Sequence, residues 1–344
     1  MKRFHYLLFI ICFTSQCLTA YAQTGTKERI TIYSKALEGN LIGDPATREV
    51  SVYLPPSYQS NPDKKYPVLY FLHGFTDNDS KWFGWENHWI NLFDILNRNM
   101  TNGKSKDMIV VMPNAYNTFK GSFYGSSETT GDWETFISKE LVEYIDSHYR
   151  TINTKSSRGL AGHSMGGYGT MRLGMKYPDI FSAIYLLSAC CMDVSFIPDP
   201  TVMAHNEAIT SKSQVDTASF VESINLAFSA AWAPNPKNPP LYLDLPYKNG
   251  EIREDILKKY TSNQILYTAD QYIYNLKQLK AIGMDAGTDD HEINQSTKRL
   301  HELLSNYGIE HQYESYKGDH LNKIEERIET KTLPFFSAHL KFQD

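Results

Sequence analysis

The sequence predicts an α/β fold: a mostly parallel central sheet with helices on both faces and a lid-like insertion. Three observations carry that expectation. Strand-like apolar runs alternate with helix-like ones through most of the chain, the pattern of parallel strands joined by crossover helices. A Gly-x-Ser-x-Gly frame, Gly162 to Gly166, stands between a short apolar run and a helical one. Residues 192–275 then break the rhythm with Pro198, Pro200, Pro234, Pro236, Pro239, Pro240 and Pro246, and a connection this long is far beyond the usual crossover.

Taken in order, residues 1–22 read as a secretory signal peptide. Lys2 and Arg3 give a positive start, Tyr6 to Phe13 is an apolar stretch too short to span a bilayer, and Ala20-Tyr21-Ala22 is a cleavage frame before Gln23. Ser15-Gln16 lacks the small-residue run that would make Cys17 a lipid anchor. The remainder, 23–344, reads as one domain, exported to the periplasm or the exterior. Arg29 to Tyr33 and Glu49 to Leu54 are strands joined by a short loop, hence antiparallel. Val68 to Leu72, Met108 to Met112, Arg158 to Ala161, Ala183 to Ser188, Ile282 to Ala286 and His311 to Tyr316 follow as strands. Asp132 to Tyr149 carries Phe136, Ile137, Leu141, Tyr144 and Ile145 on one helical face. Tyr168 to Lys176 is a helical run stopped by Pro178, and Glu292 to Tyr307 is a helix terminated by Gly308. Within 192–275, Val221, Ile224 and Phe228 recur at helical spacing, and insertions of this kind tend to form lids or substrate walls.

Composition narrows the function. The formal charge of −5 becomes −7 once Lys2 and Arg3 are removed, and no cluster of Lys and Arg interrupts the acidic balance. Such a surface repels phosphate backbones and anionic membranes, so nucleic acid is excluded as a partner. No later stretch approaches 18 unbroken apolar residues, so no membrane insertion is expected after signal removal. Cys190 and Cys191 remain after cleavage and, being adjacent at a strand end, read as small buried thiols. HExxH, CxxC and the dinucleotide fingerprint are all missing, and Asp77-Asn78-Asp79 reads as a solvated loop, so no metal or organic cofactor is expected.

The Gly-x-Ser-x-Gly frame carries the chemistry. A serine on a sharp strand-to-helix turn needs tiny neighbours, which Gly162 and Gly166 supply, and the turn aims the Met165 N–H at a developing oxyanion. A serine hydroxyl at neutral pH needs a histidine to take its proton. His320 follows the alternating run His311 to Tyr316 and the turn Lys317-Gly318-Asp319, in a loop after the last strand. The other histidines considered lie within helical patterns (His301, His339), start a strand (His311) or precede it (His291). The acid should lie just past the preceding strand, where Asp285 is still in the strand and Asp289 and Asp290 are in the loop. Either of the latter two can orient the imidazole. Val68 to Leu72 runs into His73-Gly74-Phe75, and the glycine lets the chain turn so that the Phe75 N–H meets that of Met165 across the oxyanion.

In order, REVSVYLPPSY, KKYPVLYFLHG, IVVMPNA, GSFYGSSETTGDWETFISKEL, GHSMGGYG, DAGTDD and GDH resemble the esterase family of α/β-hydrolases. That family includes feruloyl and acetyl-xylan esterases, S-formylglutathione hydrolases, siderophore esterases and mycolyltransferases. The resemblance implies the α/β-hydrolase fold, Ser164 as nucleophile, His320 as base, Asp290 as acid, and Phe75 and Met165 N–H groups as the oxyanion hole. The acid is the last residue of a Gly-x-x-Asp motif in relatives, and the extra Asp289 departs from the simplest pattern. It further implies a serine carboxylesterase. An exported chain cannot meet a cytosolic glutathione ester, so acyl groups on carbohydrate, feruloyl or acetyl, are the expected substrates, with Trp85, Tyr124 and Trp133 as candidate stacking surfaces. An acyltransferase of mycolyltransferase type, a siderophore esterase, and a binding protein without chemistry are the competing readings.

Overall fold

Val68, Tyr70 and Leu72 point into one apolar layer and Leu69 and Phe71 into another, and none of the five meets solvent. Ile109 and Val111 alternate with Val110 and Met112 in the same way. Strands buried on both faces have continuous apolar runs for this reason, and they require helices above and below. The computed structural model describes residues 24–193 and 199–343, so the expected signal peptide at 1–22 lies outside the described residues.

Among the described residues, eight strands form one sheet. They are β1 (Thr26–Tyr33), β2 (Thr47–Leu54), β3 (Val68–Leu72), β4 (Ile109–Pro113), β5 (Arg158–His163), β6 (Ala183–Leu187), β7 (Ala281–Gly287) and β8 (Gln312–Tyr316). Their spatial order is β1-β2-β4-β3-β5-β6-β7-β8. β1 pairs antiparallel with β2, and β2 with β4. Every further pairing is parallel. The expected fold class is therefore observed, including the antiparallel start.

Helices α1 (Leu92–Thr101) and, near the C-terminus, the segment Leu333–His339 cover one face through Ile95, Leu96, Met100 and Phe336. α2 (Leu141–His148), α3 (Met165–Lys176) and the helix His291–Asn306 cover the other through Ile145, Met171, Leu300 and Leu304. The helix expected over 132–149 contains one wider π turn, Phe136–Glu140. Glu140, at its end, accepts hydrogen bonds from Ser34 Oγ (2.5 Å) and the Ala36 N–H (3.1 Å).

The insertion is mostly helical, with α4 (Pro200–Ala208), α5 (Phe220–Trp232) and α6 (Glu254–Thr261). A capping box between Ser219 and Glu222 starts α5. From there Leu226, Phe228 and Trp232 are buried, with the Phe228 ring 4.6 Å from Phe123 and the Trp232 ring 5.9 Å from Tyr168. This helix belongs to the core of the sheet's α3 face. The cysteine expectation is corrected: Cys190 and Cys191 are bridged to each other, in the turn after β6.

Past β7 the chain needs a rigid exit, and a buried ion network supplies it. Asp285, wholly buried, accepts from Tyr185 Oη (2.8 Å) and Arg327 Nε (2.9 Å), while the far nitrogens of Arg327 donate to Glu314 of β8 (2.8 and 2.9 Å). Burial pushes the Asp285 carboxyl up to about 6, against the pull of Arg327. Glu314, hydrogen-bonded to Arg327 at the sheet edge, is held down at about 2.

Arg327→Leu should lower stability by about 3–5 kcal/mol in urea denaturation, because it strands a buried charge. The Glu314 contribution has the sign of a depressed carboxylate: complete above its ordinary value of 4.5 and lost as pH falls toward about 2. Glu314→Gln should accordingly destabilise the protein at pH 6 more than at pH 3, and equal losses at both would contradict the pairing.

Candidate active site

Between β5 and α3 the chain reverses at Ser164, which has φ 56° and ψ −116°. A serine pays strain to hold a positive φ, and two close approaches keep it there. A Cβ on Gly166 would sit 2.0 Å from the Leu72 carbonyl oxygen, and one on Gly162 would sit 2.3 Å from the carbonyl oxygen of Gly166. The Ser164 N–H donates to the Leu187 carbonyl (3.0 Å), and its own carbonyl accepts from Cys190 N–H (3.1 Å). The elbow is thus tied to the end of β6.

Loops at the same edge of the sheet bring the other groups. Ser164 Oγ stands 2.9 Å from His320 Nε2, and His320 Nδ1 stands 2.6 Å from Asp290 Oδ2. With Nδ1–H donating to the carboxylate, Nε2 is the lone pair that faces the serine hydroxyl. Asp289 turns the opposite way and pairs with Lys317 on the surface. The acid and histidine loops meet directly, since a Cβ on Gly287 would lie 2.2 Å from the Gly318 carbonyl oxygen. Among the described residues, no group of three His, Cys, Asp or Glu is placed to hold a metal ion.

The two backbone N–H groups expected to form the oxyanion hole follow the ends of β3 and β5. Met165 opens α3, where first-turn N–H groups have no intrahelical partner. Phe75 follows Gly74, and the loop is set by His73. That imidazole, neutral in its buried site, donates from Nδ1 to the Gly74 carbonyl and accepts at Nε2 from Ala115 N–H, both at 2.9 Å. Burial lowers its pKa. Thr76 N–H is anchored on the Lys120 carbonyl (3.0 Å).

The aromatic candidates need correction. Tyr124 is fully buried and donates its hydroxyl to the His73 carbonyl (3.0 Å), so it braces the Phe75 loop and shows no face to a ligand. Trp133 is buried with its Nε1–H on the Thr130 carbonyl and the Arg48 guanidinium 5.1 Å from its ring. Trp85 is partly exposed but is held against β2 by Ser51 Oγ and covered by the Lys27 ammonium. Asp77-Asn78-Asp79 is likewise no solvated loop: Asp77 accepts from Trp82 Nε1, Asn78 caps a helical turn, and buried Asp79 is paired with Arg29 and Ser51.

Leu321 and His163 carry no role in the sequence analysis. An open pocket of about 420 Å³ beside His320 is lined by Trp89, Asp319, Leu321 and Asn322, among others. Trp89 and Leu321 are exposed there. His163, immediately before the nucleophile, donates from Nε2 to the His320 carbonyl (2.9 Å). Its place in the frame Gly-His-Ser was the available signal, as only the flanking glycines had been used.

The Esterase family model matches residues 45–323 of this chain. An esterase of Mycobacterium tuberculosis is 35% identical over 141 residues, 39% of this chain and 27% of that protein. An endo-1,4-β-xylanase/feruloyl esterase of Xylanibacter ruminicola is 32% identical over 161 residues, 45% of this chain and 21% of that protein. The match thus spans about a quarter of the length of these relatives. Among solved structures, a ferulic acid esterase superposes with TM-score 0.64 at 23% identity, covering 92% of this chain and 99% of that one. An S-formylglutathione hydrolase of Staphylococcus aureus gives 0.58 at 17%, covering 91% and 99%. At these identities the structural likeness concerns the fold.

Asp290→Asn should reduce kcat on an activated ester by roughly 10⁴-fold, since only the carboxylate holds the imidazole in its productive tautomer. Asp289→Asn should leave kcat near wild type. Steady-state assays of both variants decide it, and a reversed ranking would move the acid to Asp289.

Proposed function

Because the chain belongs to the Esterase family, we propose that it is an exported serine carboxylesterase that removes acyl groups, feruloyl or acetyl, from carbohydrate. The single observation that carries the reading is the continuous hydrogen-bonded line Ser164–His320–Asp290. In the proposed reaction Ser164 Oγ attacks the ester carbonyl while its proton passes to His320 Nε2. Asp290 stabilises the imidazolium, and the N–H groups of Phe75 and Met165 receive the oxyanion. Collapse of the tetrahedral species breaks the bond to the alcohol oxygen, which takes the proton from His320. Water then repeats the sequence on the acyl-serine and frees the acid.

The carbohydrate half of the reading is supported by the pocket on the His320 side. The departing alcohol must take its proton from His320, so it leaves past Trp89, Leu321 and Asn322. An exposed indole with amide and carboxylate neighbours suits a sugar, which has apolar C–H faces and a hydroxyl rim. The names of the xylanase-linked relative and of the ferulic acid esterase neighbour point the same way. Export rests on residues 1–22. The insertion serves as a wall of the site in this proposal: Phe220, at the start of α5, is 62% exposed and lies 5.7 Å from the Phe75 ring. Lys120 Nζ fastens that end by donating to Ser223 Oγ (2.8 Å) and the Ala218 carbonyl (3.2 Å). The openness that admits a sugar also admits an acceptor alcohol, which keeps acyl transfer as the second reading.

Release of ferulate, acetate and p-nitrophenol from model esters, with and without an added acceptor alcohol, tests the reading. Hydrolysis is expected, and ester product formed in preference to free acid would favour transfer. Ser164→Ala should lower hydrolysis on the order of 10⁴-fold or more with the fold intact. Retention of more than about a tenth of wild-type activity would sink the nucleophile. Phe220→Ala should raise KM for feruloyl esters more than for acetyl esters, and equal KM ratios would remove the insertion from the site.

A further inference from the structure

A Gly-x-Ser-x-Gly turn places no demand on the residue before the serine, yet here it is a histidine only 2% exposed. Its Nε2 lies 2.9 Å from the His320 carbonyl oxygen, and a carbonyl only accepts, so Nε2 carries the hydrogen. Nδ1 is then the lone pair. It is buried without a hydrogen-bond partner among the described residues and faces the Phe75 loop, where a Cβ on Gly74 would come to 3.4 Å from it. Protonation there would create a buried donor with nothing to receive it. Burial and the neighbouring His320 accordingly hold the His163 pKa well below its ordinary value.

The ring is wedged on every side. Its centroid is 4.7 Å from that of His320 and 5.8 Å from those of Trp82 and Trp89. Trp82 is fixed in turn by its Nε1–H on Asp77 (2.8 Å), in the loop that follows Phe75. One side chain therefore touches the main chain that carries the base and the loop that carries an oxyanion donor. On either side of the ring the loop has other ties, with the Gly318 carbonyl accepting from Asp289 N–H (2.9 Å) and Asp319 Oδ1 accepting from Leu321 N–H and Asn322 N–H (both 2.8 Å), while the bond from His163 is made to the carbonyl of His320 itself.

We propose that His163 is a positioning residue for ester hydrolysis, its Nε2–H holding the His320 main chain where the imidazole reaches Ser164 Oγ. The inference rests on the proposed serine-esterase reading. It assigns His163 no contact with substrate and no proton transfer. A shift of the base by 1 Å is enough to cost about 10²-fold in rate, so the single hydrogen bond has leverage on kcat, and an ester without a sugar keeps the readout apart from the Trp89 wall of the pocket.

Three substitutions separate the hydrogen bond from the packing. His163→Gln places an amide N–H near the original Nε2, His163→Asn places it a methylene short, and His163→Leu fills the space without a donor. Each is compared with wild type for kcat and KM on p-nitrophenyl acetate, alongside thermal melting. The expected result is a fall in kcat approaching 10²-fold for Leu and Asn at unchanged KM, with most of the loss recovered in Gln. Wild-type kcat in Leu and Asn would overturn the proposal, as would equal impairment of folded Gln and Leu, which would make ring packing the cause. If Leu does not fold, the Gln and Asn pair decides alone. An inactive wild type would instead defeat the esterase reading itself, and the positioning role with it.

Discussion

The approach of Gly166 to the carbonyl of Leu72 is the contact on which the rest of the site depends. With no Cβ in the way, α3 starts against the ends of β3 and β5, and Ser164 is forced into a backbone conformation that serine would otherwise avoid. That same seating leaves the Met165 N–H at the helix start, and the Phe75 loop follows directly from β3. Ser164, Met165 and Phe75 are thus positions on one rigid piece of sheet edge. Asp290 and His320 arrive from β7 and β8, and their loops are registered by a second glycine approach, Gly287 against Gly318. Precision comes from main chain packed on main chain, which gives less than side-chain packing does.

Charge is used around this frame in a graded way. Deep in the sheet, Asp285 and Arg327 are paired and satisfied in part by Tyr185, a costly arrangement unless the geometry is good. On the α3 side, buried Glu134 collects Arg172 (2.7 Å) and Lys176 (2.6 Å), and their positive charges hold its pKa below the ordinary value despite the opposing effect of burial. The histidines nearest the reaction are the reverse: His73 and His163 are both buried and neutral, and each spends its one N–H on a backbone carbonyl. Rings used in this way orient loops without adding a field that would compete with the charge forming at His320.

Local patterns made the sheet, the elbow and the place of His320 legible, because a strand-turn-helix with obligatory glycines leaves marks at fixed spacing. The residues alone left Asp289 and Asp290 open. Two adjacent carboxylates differ only in direction, and direction here follows from the turn at Gly287 and the helix that starts at His291. Tyr124 and Trp133 were misread for a related reason: aromatic residues near loops look alike in sequence whether they line a cleft or brace the loop from beneath. The buried face of α5 depends on contacts distant in the chain, with Phe123 and Tyr168. No local period reports those.

The spatial order of the strands has a consequence for the timing of synthesis. Phe75 follows β3, and Ser164 and Met165 follow β5, whereas Asp290 and His320 follow β7 and β8, and Arg327, which clamps those two strands, comes later still. A chain emerging from the ribosome therefore carries Ser164 long before it carries His320. Chains that end before β8 have the serine without the histidine that faces it. The enzyme's chemistry is in this sense the final product of its own folding.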